Sequence, residues 1–84
     1  MLKLFDNTTR SRIFWNLIVY KELSASQLAK MLKKNISTIT RNLELMHASN
    51  LILLSKSIQI KNLQVKYWKI NADVLKEPSL IDLE

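Results

Sequence analysis

Between Ser24 and Ile52 the chain reads SASQLAKMLKKNISTITRNLELMHASNLI, a segment that leaves little freedom over its local structure. Ser24 precedes Gln27 by three residues. At this spacing the hydroxyl accepts from the third helical amide while the glutamine side chain reaches back to the serine amide, so a helix starts there. Leu28, Ala29, Met31 and Leu32 supply its apolar face, and Lys33 and Lys34 end it. Asn35 can cap a second helix in which Ile36, Ile39, Leu43 and Met46 follow the 3.6-residue period. The same period turns Ser37, Thr38, Thr40 and Arg41 away from that stripe. The segment is therefore two short helices joined by a tight turn, with small hydroxyl residues leading the second.

On the N-terminal side a further helix is expected from Asn7 or Thr8 through Tyr20 or Lys21, with Ile13, Phe14, Leu17 and Ile18 as its buried stripe. Leu4 and Phe5 precede its cap as a hydrophobic staple. Arg10 and Arg12 fall on its polar side, Arg10 in reach of Asp6. Trp15 lies beside the stripe, at a core edge or a dimer contact. On the C-terminal side, Asn50 stands where a helix end needs positive φ, and the chain has no glycine to put there. Leu51 to Ile60 is β-rich, Lys61-Asn62 gives a turn signal, and Gln64 to Ile70 alternates again, which predicts a β-hairpin. A three-residue loop would bury Leu54, Trp68 and Ile70 against the helices; other registers stay open. Tyr67 and Trp68 are adjacent and so face opposite sides of a strand, Trp68 toward the core. Asn71 caps a fourth helix around Ala72 to Lys76, Pro78 interrupts it, and Ser79 to Leu83 starts another.

Eighty-four residues make one domain, 1–84, whose final Leu83-Glu84 resembles the junction left before a purification tag. A chain of this size buries only roughly 60 to 65% of its unfolded surface, so the 48% hydrophobic content has to be concentrated in one compact core. With no cysteine, the chain fits a reducing cytoplasm. The longest apolar run, Ile13 to Tyr20, contains Asn16 and falls well short of the ~20 residues of a membrane span. Formal net charge is +6, and between Ser24 and Lys69 the only acid is Glu44, whereas basic residues recur from Lys30 onward. Such a field suits a polyanion, because cations near phosphates release condensed counterions. No Ser/His/Asp set, carboxylate pair or glycine-rich phosphate loop is present, so no enzyme is expected. His47 is the sole histidine, so neither a metal site nor a cofactor is expected.

Three stretches carry a resemblance. Asn7-Thr8-Thr9-Arg10-Ser11-Arg12-Ile13-Phe14 is similar to D-P-T-R-x-x-I-L, Glu22-Leu23-Ser24-Ala25-Ser26-Gln27-Leu28-Ala29 to E-L-S-x-x-E-L-A, and Ser37-Thr38-Ile39-Thr40-Arg41-Asn42-Leu43 to S-T-V-S-R-H-L. In register ahead of a hairpin, they resemble the winged helix-turn-helix transcriptional regulators, nearest to the ArsR-like group. The resemblance implies a mainly α fold with a β-hairpin: a three-helix core, a two-stranded wing and a C-terminal helix. It also implies a sequence-specific regulator of double-stranded DNA, acting as a homodimer, with a recognition helix near 36–48 in the major groove and a wing near 52–70 on the adjacent backbone or minor groove. Ser37, Thr38, Thr40 and Arg41 are then the candidate base and phosphate contacts, joined by Lys34 and Asn35 at the turn and Lys61 and Asn62 at the wing tip. Asn35 reads more simply as a helix cap. Lys33 and Asn50 replace two of the group's glycines, and metal-sensing cysteines and histidines are absent. A winged helix used only for protein assembly, or one that binds RNA or single strands, is the alternative.

Overall fold

The computed structural model describes residues 8–76. Helices α1 (Thr8–Tyr20), α2 (Ala25–Leu32) and α3 (Ile36–Ala48) pack with an antiparallel sheet of β1 (Glu22–Ser24), β2 (Ile52–Ile60) and β3 (Leu63–Ile70), followed by a 3-10 helix at Ala72–Lys76. The core takes Ile13, Phe14 and Leu17 from α1, Leu28 from α2, Ile39, Leu43 and Met46 from α3, and Leu23, Ile52 and Trp68 from the base of the sheet. Each large aliphatic or aromatic side chain contributes about 1.5 to 3 kcal/mol by leaving water, and in a domain without disulfides this cluster carries the stability. Two residues assigned to the apolar stripes are exposed instead. Met31 lies about 100° around α2 from the centre of Leu28, Ala29 and Leu32, and Ile36 is the first residue of its helix; they are 38% and 50% exposed.

The capping box forms as expected. Gln27 N donates to Ser24 Oγ at 3.2 Å, and Ser24 N donates to Gln27 Oε1 at 2.8 Å. At their other ends all three helices stop on a left-handed residue, and none of the three is glycine. Lys21 has φ 75 and donates to Leu17 O. Lys33 has φ 56 and ψ 46; its amide donates to Lys30 O while that of Lys34 donates to Ala29 O at 3.0 Å. Asn50, at φ 62, repeats this pair of bonds, its own amide to His47 O and that of Leu51 to Met46 O. Both are Schellman closures, the second sealed by the buried Leu51 and Met46.

The sheet has the order β1-β3-β2, so the expected two-stranded hairpin gains a third strand at its base. β1 is three residues long, too short for a periodic signal, and its pairing is long-range: Leu23 lies opposite Trp68. The hairpin turn has two residues, not three, with Ile60 opposite Leu63 and Lys61 at φ 55. Between Leu54 and Lys56 the register shifts by a β-bulge at Ser55. Leu54 pairs with Trp68, but beyond the bulge Lys56, Ile58 and Ile60 pair with Tyr67, Val65 and Leu63 on the opposite face. Trp68 is buried and Ile70 half-buried; Leu54 is 43% exposed rather than buried although it pairs with Trp68, and beyond the bulge Ile60 and Leu63 are exposed. Glu22 ties the bulge down: its carboxylate accepts from the Ser55 hydroxyl and pairs with Lys56 Nζ at 3.1 Å, and that ammonium lies 5.0 Å from the Tyr67 ring centre.

Asn71 joins the end of the sheet to the end of α3, its Nδ2 donating to Asn50 O and its Oδ1 accepting from Asp73 N. The helix expected at Ala72 to Lys76 forms as a 3-10 helix that buries Val74. The Leu4 and Phe5 staple, the Asp6 partner of Arg10, Pro78, the segment from Ser79 and the terminal Leu83-Glu84 lie outside the described residues.

Candidate nucleic-acid interface

Ile39, Asn42, Leu43 and Met46 fix the orientation of α3 by facing the core. Asn42 is polar but satisfied, its Nδ2 donating to Thr38 O at 2.8 Å. With about 100° between successive residues, Ser37, Arg41, Glu44 and Ala48 project on the opposite side, and all four are exposed. Thr40 and His47 lie on one flank and Thr38 on the other. The expectation that Ser37, Thr38, Thr40 and Arg41 stand clear of the core therefore agrees with the fold, although the four divide between the outward face and the flanks.

Asn35 is the helix cap. Its Oδ1 accepts from Ser37 N at 2.9 Å and from the Ser37 hydroxyl, so its acceptor is already engaged. Lys34 is exposed directly after the left-handed Lys33, and Lys61 and Asn62 are exposed at the wing tip.

Between α3 and the wing lies an open groove of about 420 Å³, lined among others by Thr40, Glu44 and His47 on one side and Leu54, Gln64 and Lys66 on the other. The His47 ring packs 5.1 Å from that of Trp68 and holds the helix end against β3. The groove brings Thr40 together with the middle of the wing. Arg41, Lys61 and Asn62 are not among its lining residues. Of the wing lysines, Lys66 borders the groove, while Lys56 is on the far face with Glu22.

Glu44 and Gln64 were not among the sequence candidates. The signal for Glu44 was available, since it follows Arg41 by three residues and Thr40 by four. Gln64 lies four residues before Trp68 in β3, and strand alternation places both on one face.

The clearest ionisation effect lies behind the groove. The Ser55 hydroxyl, and after it Lys56, hold the Glu22 carboxyl below its ordinary range. Among the described residues, no group of three His, Cys, Asp or Glu is arranged to hold a metal, and no helix is long and apolar enough to cross a membrane.

No protein-family model matches the chain, and no curated protein matches it. Among solved structures it is similar to a fragment (residues 1-100) of a possible transcriptional regulatory protein from Mycobacterium bovis, with a TM-score of 0.68 over 94% of this chain and 80% of that one. The two sequences are 21% identical, so the likeness is one of fold. The fold is a winged helix-turn-helix. In this winged helix the turn is Lys33 to Asn35, α3 occupies the position of the second helix of the motif, and β2 and β3 form the wing.

Proposed function

We propose that this winged helix is a transcriptional regulator that binds double-stranded DNA in a sequence-specific manner, with α3 in the major groove and the wing tip on the neighbouring backbone or minor groove. The observation that carries the reading is the outward face of α3: Ser37 and Arg41 stand exposed on a helix whose opposite side is locked into the core, with Thr40 on the flank that meets Lys66. A B-DNA major groove is about 12 Å wide and admits one such helix. In this reading Arg41 makes a bidentate contact to guanine, the hydroxyls bind phosphate or base edges, and Lys34, Lys61 and Asn62 position the backbone. Asn35 contributes as the cap that aims the helix. The match of Glu22–Ala29 and Ser37–Leu43 to ArsR-like patterns supports membership of that group.

Two copies acting on half-sites about one helical turn apart belong to the same proposal. Trp15 and Val19, four residues apart on α1, are 50 and 67% exposed and offer an apolar surface for pairing.

A mobility shift on random-sequence duplex at low and moderate salt tests the reading. Wild type binds, and Arg41→Ala and Lys61→Ala each bind more weakly. Failure of wild type to shift duplex favours the assembly-module reading, for which the exposed Ile60 and Leu63 on the far face of the wing are the supporting observation. Preference for a single-stranded competitor favours the RNA or single-strand reading.

A further inference from the structure

Glu44 is the exception on the outward face of α3. It is the only acid between Ser24 and Lys69, and it projects beside Arg41 into the region proposed for DNA. Its carboxylate is exposed, and the ion pairs of the described residues, Lys56 with Glu22 and Lys76 with Asp73, do not involve it. It lies at the rim of the groove that also holds Thr40 and Lys66. A carboxylate at that position is repelled by every phosphate it approaches, so in a duplex complex its favourable partners are hydrogen-bond donors on base edges.

The major groove offers two such donors, the N4 amino group of cytosine and the N6 amino group of adenine, whereas guanine and thymine turn oxygen acceptors toward it. Adenine flanks its amino group with the N7 acceptor, which opposes the second carboxylate oxygen; cytosine flanks its amino group with a C–H. We propose, on the reading of α3 as the recognition helix, that Glu44 is a specificity-determining residue that selects cytosine. Three residues of helix separate Arg41 from Glu44, a rise of about 4.5 Å, against roughly 3.4 Å per base-pair step. The cytosine therefore lies one or two base pairs from the guanine read by Arg41. Glu44 also weakens binding to unrelated sequences, which meet its charge without supplying the donor.

The test is enrichment of duplexes from a randomised pool by wild type, Glu44→Ala and Glu44→Gln, followed by affinities on the enriched site and on random duplex. Glu44 is exposed, so both variants fold. The expected wild-type site contains a cytosine whose replacement weakens binding roughly 5- to 150-fold. Glu44→Ala loses preference at that position alone and binds random duplex at least as tightly as wild type. Glu44→Gln moves the preference toward adenine, whose N6 and N7 a glutamine can engage together. Unchanged base preferences in both variants, or a wild-type site in which no cytosine depends on Glu44, overturn the proposal while the DNA-binding reading stands. Absence of any duplex binding by wild type removes both.

Discussion

Replacing Lys33 by glycine is expected to stabilise the domain while removing a positive charge. Lys33 closes α2 at φ 56 and ψ 46, where the Cβ of an L-residue crowds its own backbone. That conformation costs roughly 1 to 2 kcal/mol, and glycine escapes it but gives back about 0.5 to 1 kcal/mol through the greater freedom of its unfolded chain. The central values leave a net gain of about 0.75 kcal/mol. In a domain of this size 1 kcal/mol corresponds to about 4 to 8 °C in Tm, so the midpoint should rise by about 3 to 6 °C. Lys33→Ala is the control: it removes the same charge but keeps the Cβ, and its stability should stay within about 0.5 kcal/mol of wild type. Both Schellman bonds are made by backbone groups, Lys33 N to Lys30 O and Lys34 N to Ala29 O, and neither substitution touches them. Thermal and urea unfolding followed by far-UV circular dichroism measures the difference. If Lys33→Gly is no more stable than Lys33→Ala, the left-handed strain assigned to this turn is wrong.

Asn50→Gly should gain less than Lys33→Gly in the same assay, because asparagine tolerates the left-handed region better than lysine does. Ser24→Ala should cost about 1 kcal/mol, and a double-mutant cycle with Gln27→Ala should show coupling between the two halves of the capping box. Glu22 supplies the pH dependence. Its carboxyl is held below the ordinary range, so its contribution is present above the unfolded value near 4.5 and is lost as pH falls through the lower folded value. Urea midpoints measured from neutral to acid pH should therefore fall less steeply below that range for Glu22→Gln than for wild type.

The helices were legible because their signals are local. Ser24 with Gln27 announces a start, Asn35 a second one, and the aliphatic spacing from Ile39 to Met46 shows which side of α3 is left for solvent. Asn50 was legible as a left-handed end because asparagine tolerates that conformation better than other non-glycine residues. Lys61 and Lys21 carry no comparable chemical mark, so the turn expected at Lys61-Asn62 forms but the positive φ of Lys61, like that of Lys21, was not legible. The sheet was partly hidden for a different reason. The bulge at Ser55 is tied to Glu22, over thirty residues earlier in the chain, and it changes which residues of β2 beyond it share the face of Trp68. Alternation expects Leu54 in the core, and although it does pair with Trp68 it is left 43% exposed. Of the candidate interface, the residues of α3 could be named from the period and Gln64 and Lys66 from their alternation with Trp68, but that they meet Thr40 across a groove depends on how the wing packs beside α3.

The claim that the outward face of α3 and the wing engage duplex DNA is tested most directly by the salt dependence of affinity. Fluorescence anisotropy with a labelled duplex, across a series of salt concentrations, gives the slope of log K against log salt for wild type and Lys61→Ala. Wild type should show a steep negative slope, and Lys61→Ala should flatten it by about one unit, as expected when a single phosphate contact is removed. Wild-type binding that is absent, or a slope that Lys61→Ala leaves unchanged, would contradict the account.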